Sequence, residues 1–238
     1  MAARDLLMIT AGTVQPILPL YDKEMECLYC NKTFITKKVR SKFIRIKKRD
    51  SDLCNHYEGI NPYYYEVFVC SHCNYAFTER FQPINNICNE IIKERYIKNT
   101  ALANLNGERS LEQAVKAFKL ALLCATLAGE SSYILAGLCL KLAWLYRYDN
   151  NNEETRFLNN ALDNYIKTYE QGDIATLNKA SLLYIIGELE NSLGDYERAR
   201  RWFSILLSDK TLDPKIVKIA KDRWQELRYE RTLEEDSK

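Results

Sequence analysis

The sequence contains no run of 18 or more apolar residues, so it predicts no helix that crosses a membrane. Its first 20 residues have some apolar character, but Gly12, Pro16 and Pro19 interrupt it. They lack the long apolar stretch and the small-residue cleavage site that are typical of a signal peptide. We therefore expect residues 1–22 to form a flexible leader, with an extended arm packed on the body as the alternative.

Readable catalytic motifs are also missing. The sequence shows no nucleophile–base pair at motif spacing, no glycine-rich phosphate-binding loop and no open metal site. A net charge of only +2 on 238 residues does not by itself indicate a partner of either charge. The sequence thus predicts a protein that is not an enzyme, although a catalytic site assembled from distant residues would leave no such motif.

Cysteine occurs at eight positions, and its spacing is the most informative feature that is present. Two C-x-x-C motifs, Cys27 with Cys30 and Cys70 with Cys73, supply the four thiolates that a closed tetrahedral zinc site needs. The other four cysteines are scattered, which fits a reducing cytosol better than a secreted disulfide framework. We predict a cytoplasmic protein with a structural Zn²⁺ ion.

The two motifs are 39 residues apart, against a usual spacing of about 15–20. Closing the longer loop costs only about 0.7 kcal/mol more, whereas structural zinc contributes on the order of 10 kcal/mol in small metal-folded units. Asn31 and Asn74 stand where a glycine often follows such a motif, and asparagine tolerates the left-handed conformation best among the other residues. Four sulfurs would complete the coordination sphere, so we expect a structural ion rather than a catalytic one.

Three further side chains are candidate metal-associated groups. His72 lies inside the second motif, and we expect it to bond to solvent or to a backbone group. Cys54 and His56 are alternatives, either as a replacement ligand or as groups that bond to a ligand.

The residue composition changes near residue 80. Before it, runs of β-branched and aromatic residues at 43–47 and 63–69 predict strands. After it, helical periodicity predicts seven helices with short connections, the first extending from Pro83 to Asn106 and Gly107. We therefore predict an α+β protein: the leader at residues 1–22, a small β-rich, zinc-ribbon-like module at residues 23–80, and an all-α array of helical hairpins at residues 81–238.

Capping signals predict several helix boundaries. Ser110 and Gln113 form a capping box for a helix that ends near Ala128. Further stop and start signals are Gly129, Gly172 with Asp173, Gly194 with Asp195, and Asp213 with Pro214.

One predicted hairpin resembles the tetratricopeptide pattern. Small Gly187 and Ala199 would let two helices approach closely, and Tyr196 and Phe203 would fill the space between hairpins. A partial second match around Ala114 lies 85 residues before Ala199, or two units of about 42 residues. This period is longer than the usual 34 or so, so we describe the array as tetratricopeptide-like.

A basic stretch spans residues 37–49, in a module that carries eleven Lys and Arg against seven Asp and Glu, a net +4. Basic side chains with interleaved aromatic residues can bind phosphates and stack on bases. The alternative is a solvated strand face, because Ile44 and Ile46 alternate with charged residues and predict one buried and one wet face. The candidate phosphate contacts are Lys37, Lys38, Arg40, Lys42, Arg45, Lys47, Lys48 and Arg49.

Residues 49–52, Tyr57 and residues 61–76 resemble the bacterial family called domain of unknown function 2225, and the specific part of the resemblance is Arg40 to Ala76. The resemblance extends from about Cys27 through the helical region. It implies a cysteine-knuckle module followed by tetratricopeptide-like helices, and it implies no established activity or catalytic residue. Leu28 and Ser71 replace the proline that often follows the first cysteine of each knuckle, which removes no ligand.

Stacked helical hairpins form a concave groove that can capture a peptide or protein segment. The alternative is that the groove aromatics Trp144 and Tyr184 belong to the core. We predict a non-enzymatic, zinc-stabilised interaction or scaffold protein that binds a protein or peptide, with nucleic-acid binding as the alternative and no membrane partner. If Ala143 and Gly187 hold the small positions of their helices, the groove carries Trp144, Arg147, Tyr148, Tyr184, Glu188 and Asn191, with Tyr96 and Asn99 as an extension.

Overall fold

A computed structural model describes residues 7–10, 13–172 and 179–236. Within these residues, short strands come first and seven α-helices follow, which confirms the predicted α+β class. The segment predicted as a leader contains the antiparallel strands β1 (Leu7–Thr10) and β2 (Thr13–Pro16) and the start of the next strand at Leu20.

The remaining strands form three more antiparallel pairs. In the first and third pairs, a C-x-x-C motif makes the turn between the two strands, so each motif is held by a hairpin. The pairs are β3 (Leu20–Glu26) with β4 (Thr33–Val39), β5 (Ile46–Arg49) with β6 (Asn55–Tyr57), and β7 (Phe68–Val69) with β8 (Ala76–Phe77).

Two strand predictions need correction. Residues 63–69 begin with a 3-10 turn, Pro62–Tyr65, because proline fixes φ and the Asn61 side chain accepts a hydrogen bond from the Tyr63 N–H. Residues 43–47 contain the end of another 3-10 turn, Ser41–Phe43, and β5 begins only at Ile46. The predicted buried face is wrong as well: β5 pairs with β6 alone, and Ile46 remains 50% exposed.

The helices begin and end largely at the predicted signals. The capping box of Ser110 and Gln113 is present, and Gly129 adopts the left-handed conformation. Asp195 caps the helix that it was predicted to start, whereas Asp173 lies outside the described residues. The helices are α1 (Asn86–Arg95), α2 (Leu111–Ala128), α3 (Ser132–Arg147), α4 (Glu153–Glu170), α5 (Lys179–Ser192), α6 (Tyr196–Ser208) and α7 (Pro214–Asp236).

Helix α1 is shorter than predicted, since it ends at Arg95 and is followed by a 3-10 turn, Ile97–Asn99. The side chains of Asn99 and Thr100 donate to the backbone carbonyls of Glu94 and Tyr96. Such local bonds compete with helical hydrogen bonding, so the chain continues irregularly to Ser110.

The strand region and the helices share one hydrophobic core, which includes Phe68 and Phe77 from the strands together with Phe118 and Leu142 from the helices. A smaller cluster joins α5, α6 and α7. There, a Cβ atom built on Gly187 would lie 2.9 Å from the Phe203 ring, which confirms that the glycine permits close approach of α5 and α6. Tyr196 and Phe203 both stack on Trp224 of α7, as expected for residues that fill the space between hairpins.

Candidate metal centre and helical groove

The two C-x-x-C motifs adopt the same backbone geometry. In the first, the Asn31 N–H donates to the Cys27 carbonyl, and in the second the Asn74 N–H donates to the Cys70 carbonyl, over 2.9 and 2.8 Å. Both asparagines are left-handed, with φ of 55° and 64°, which confirms that prediction. The turn directs both sulfurs of each motif to one side, as a metal knuckle requires.

The two hairpins bring all four sulfurs together, within 4.8 Å of one another. The Sγ atoms of Cys27 and Cys73 are 3.6 Å apart, and those of Cys30 and Cys70 are 3.7 Å apart. Zinc–sulfur bonds of about 2.3 Å in a tetrahedron place sulfurs about 3.8 Å apart. The four side chains therefore fit a tetrahedral thiolate-binding ion without rearrangement of the backbone.

Three of the four cysteines in the cluster have shifted pKa values. A hydrogen bond from the Cys73 thiol lowers the pKa of Cys27 to about 5, and the same contact raises the pKa of Cys73. Burial raises the pKa of Cys70 to about 11. A divalent ion that binds all four sulfurs would displace the protons that they carry, so its affinity would rise with pH.

The second knuckle is attached directly to the helical array. The Tyr96 hydroxyl donates to the Asn74 carbonyl over 2.7 Å, and the Asn74 side chain accepts from the Ala103 N–H over 3.1 Å. The Ala76 N–H lies 3.4 Å from the Cys124 sulfur of α2. Tyr96, predicted as a groove residue, is therefore buried against the knuckle, while Asn99 is exposed at the following turn.

The other candidate metal-associated groups lie apart from the four sulfurs or bond to the backbone. The Nε2 atom of His72 lies 3.0 Å from the Thr33 carbonyl, in agreement with the expected backbone bond. Cys54 and His56 instead form a separate group with Asp50, whose ligand atoms lie within 4.8 Å of one another. Burial raises the pKa of Cys54 to about 12, so its thiol stays protonated.

The predicted groove residues of α3 contact the chain's own β5–β6 loop. Arg147 bonds to Asp52 over 2.7 Å and to Asp50 over 3.1 Å, and the Trp144 indole N–H donates to Asp52 over 2.9 Å. The Tyr148 hydroxyl donates to the Asn55 carbonyl. One end of the helical face is therefore filled by the segment 50–55.

The predicted groove residues of α5 extend the same contact. The Tyr184 hydroxyl donates to the Ser51 carbonyl over 2.9 Å, and Tyr184 is itself buried. Glu188 is fully buried and paired with Arg223 of α7 over 2.9 Å. Burial raises the pKa of Glu188, against the opposing effects of Ser51 and Arg223. Asn191 is half-buried one turn further along α5.

The sequence alone does not predict the acidic partners of Arg147. Burial opposes ionisation of Asp50, but hydrogen bonds from His56, Lys48 and Arg147 outweigh it and lower the pKa of Asp50 to about 2. Asp52 is only 2% exposed. An acidic pair in a loop carries no local motif, because its partners come from a helix more than 90 residues later.

Arg109 is a second residue with no sequence signal. Its buried guanidinium donates to the carbonyls of Leu105, Tyr64 and Val67 over 2.6 to 2.8 Å. Burial lowers the pKa of Arg109 to about 10. This side chain thus joins the segment before α2 to the backbone between the 3-10 turn and β7.

The basic stretch at residues 37–49 is partly neutralised by the chain itself. Lys37 pairs with Asp22, Lys38 with Glu79 and Lys48 with Asp50. The other members include Arg40 and Lys42, which lie over the rings of Tyr21 and Phe43, and Arg49, which donates to Asn55. Arg45 and Lys47 are exposed.

Comparison with known proteins assigns the chain to a family. The sequence model of a family described as "uncharacterized protein conserved in bacteria", domain of unknown function 2225, matches residues 20–227. The chain belongs to this family. The match begins at the first residue of β3 and covers both knuckles and all seven described helices up to the middle of α7, which confirms the resemblance seen in the sequence. Neither the curated proteins nor the solved structures that were compared gave a match. Among the described residues of this family member, no helix is both long and apolar enough to span a membrane.

Proposed function

We propose that the chain is a non-enzymatic interaction protein that is stabilised by one structural zinc ion and captures a protein segment on its helical face. The observation that carries the proposal is the convergence of four cysteine sulfurs from two hairpins. A soft ion with four thiolate ligands has no open position for a substrate, so its contribution would be structural.

Zinc would be held by Cys27, Cys30, Cys70 and Cys73, and it would lock together two hairpins that already touch through the ring pairs Tyr29–Tyr75 and Phe34–Phe77. Each two-stranded hairpin is marginal in water by itself. Because the second knuckle also bonds to Tyr96 and Ala103, fixing it would hold the N-terminal strands on the helices. The ion would thus set the position of the β5–β6 loop on the helical face.

The contact between this loop and the helices supports capture of a segment. Side chains of the helical face bond to the carbonyl groups of Ser51 and Asn55 and to the carboxylates of Asp50 and Asp52, so this face recognises both the backbone and the acidic side chains of the loop. A face that binds such a segment within the chain has the chemistry to bind one from a partner.

Cross-linking of the tagged full-length protein in a bacterium that makes it would test the proposal. We expect one protein to be cross-linked to the wild type and lost when Cys27 and Cys70 are both changed to serine. A Cys88→Ser variant serves as the matched control. The proposal would be rejected if the wild type cross-linked no protein, or if the double variant retained the same partner.

Nucleic-acid binding through residues 37–49 stays an alternative prediction. It requires retention of RNA or DNA that weakens steeply as salt is raised. The ion pairs of Lys37, Lys38 and Lys48 with acidic side chains reduce the positive field of this stretch, so we rank it second.

A further inference from the structure

A cleft lies along α3 beside the region that the β5–β6 loop fills. It consists of two adjoining cavities of about 350 and 470 Å³. Both cavities are lined by Arg80, Tyr133, Gly137 and Lys141, so we treat them as one α3 cleft. Each cavity has the size of a site that binds a small ligand or a few residues of a peptide, about 300–1,000 Å³.

Gly137 forms part of the floor of the α3 cleft. It lies inside a helix, where glycine is unfavourable relative to alanine. A Cβ atom built on Gly137 would have no described atom within 4 Å, in contrast to Gly187, whose Cβ would collide with Phe203. Packing within the chain therefore does not explain the glycine at 137, whereas close approach of a bound molecule to the helix would explain it.

The walls of the α3 cleft are apolar and aromatic. Tyr133 and Tyr165 form an edge-to-face pair with ring centroids 6.1 Å apart beside the glycine. Leu182 and Ile185 of α5 add apolar lining to the second cavity. A large apolar side chain placed over Gly137 would therefore enter an apolar surrounding.

The charge that remains in the α3 cleft is positive. Its acidic residues are all paired: Glu66 with Lys141, Glu79 with Lys23 and Lys38, and Asp52 with Arg147. Among the described residues, no salt bridge involves the exposed Arg80, which lines both cavities. An acidic group in the cleft would therefore find a cation whose charge is not already neutralised.

The chain's own loop shows which kind of molecule this surface accepts. Asp52, Leu53 and Asn55 line part of the cleft, and Asp52 is one of the two carboxylates that Arg147 binds. Leu53 adopts φ of 71°, an unusual conformation for a leucine, and its side chain is 40% exposed. A tight turn that carries two carboxylates and one leucine, closed by the bond from the Leu53 N–H to the Asp50 carbonyl, thus already occupies the adjoining part of the helical face.

We propose that the α3 cleft binds a short partner segment with an acidic side chain at Arg80 and a large apolar side chain over Gly137, against the Tyr133–Tyr165 ring pair. This inference rests on the proposed function, and it adds the site and the chemistry of the captured segment. Of the three predicted groove residues, Trp144 lines the cleft and bonds to Asp52, whereas Arg147 and Tyr184 are engaged by the β5–β6 loop.

The probe is a library of synthetic heptapeptides, each with one Asp or Glu and one Phe, Tyr, Trp or Leu among small residues. A matched library carries Asn or Gln in place of the acid. Peptides that are retained by the zinc-loaded full-length protein would be identified by mass spectrometry, and their affinities measured by fluorescence anisotropy. We expect selection from the acidic library alone.

Substitutions in the cleft test whether the selected peptides bind there. Arg80→Glu and Gly137→Leu should each weaken binding at least tenfold, whereas Arg201→Glu, an equal charge change on exposed α6, should leave affinity unchanged. No selected peptide, equal selection from both libraries, or undiminished binding by both cleft variants would overturn the inference. If the cross-linked partner of the wild type persisted in such a case, the proposed function would stand and only the site would fail.

A second measurement needs no peptide. Gly137→Ala should raise the thermal unfolding midpoint of the zinc-loaded protein by about 1–4 °C, because alanine favours the helix and its methyl group enters open space. A lowered midpoint would show that the glycine serves packing within the chain, and it would overturn the inference.

Discussion

The guanidinium group of Arg147 lies 2.7 Å from the buried carboxylate of Asp52, and this ion pair joins α3 to the loop between β5 and β6. The pair is reinforced by Trp144, which donates to the same carboxylate, and by Glu154, which bonds to Arg147 over 2.7 Å. Because Asp52 is only 2% exposed, its carboxylate oxygens bond to these partners rather than to water.

Arg147→Ala should lower the free energy of unfolding by about 3–5 kcal/mol, because it leaves the Asp52 carboxylate buried without a counterion. Arg156→Ala is the control, since Arg156 forms an exposed pair with Glu153 and should cost at most about 1 kcal/mol. Urea titration of both variants measures the difference. Equal losses would show that the Arg147–Asp52 pair does not hold the loop.

Asp50→Asn should lower the free energy of unfolding by about 2 kcal/mol at pH 7, since the folded-state pKa of Asp50 lies well below its usual value. A depressed folded-state pKa contributes stability above the unfolded-state pKa of 3.8, and that contribution is lost as the pH falls towards about 2. The difference in the free energy of unfolding between wild type and variant should therefore keep its pH 7 value down to pH 5 and fall to about half of that value at pH 3.

Parallel urea titrations at pH 7, 5 and 3 provide this measurement, and only the difference between the two proteins is compared. If this difference in the free energy of unfolding stayed constant down to pH 3, or increased, His56, Lys48 and Arg147 would not be holding the Asp50 carboxylate in its charged form.

Gly187→Ala should destabilise the protein by about 1–3 kcal/mol, although alanine is the better helix former. The added methyl group would lie 2.9 Å from the Phe203 ring, so α5 and α6 would have to separate. Gly137→Ala, the same change in a helix with open space, should instead stabilise the protein by about 0.5–1 kcal/mol. Thermal unfolding of both variants checks the contrast, and shifts in the same direction would contradict it.

Features set by neighbouring residues were predictable from the sequence. The knuckle turns follow from Asn31 and Asn74, and the start of α2 follows from Ser110 and Gln113, because each of these bonds closes within a few residues. The same local chemistry explains one error. Asn61 and Pro62 signal a turn, and that turn extended into a segment whose aromatic residues favoured a strand.

Contacts between distant segments were not predictable. The β5–β6 loop bonds to α3 and α5 across 92 to 133 residues of sequence, and neither partner shows a motif for the other. Trp144, Arg147 and Tyr184, predicted to line a groove, all bond to the chain's own loop, and nothing local in the sequence indicates this contact. The contacts of Arg109 could not be predicted for the same reason. Its partners are backbone carbonyls, which every residue has.

The central claim is that Cys27, Cys30, Cys70 and Cys73 bind one zinc ion that stabilises the fold. Native mass spectrometry of the full-length protein, with metal analysis of the same sample, tests it most directly. We expect one zinc ion per chain, lost together with much of the thermal stability in the Cys27→Ser, Cys70→Ser double variant and retained in Cys88→Ser. A metal-free wild-type chain whose unfolding midpoint is unchanged by exhaustive chelation would contradict the claim.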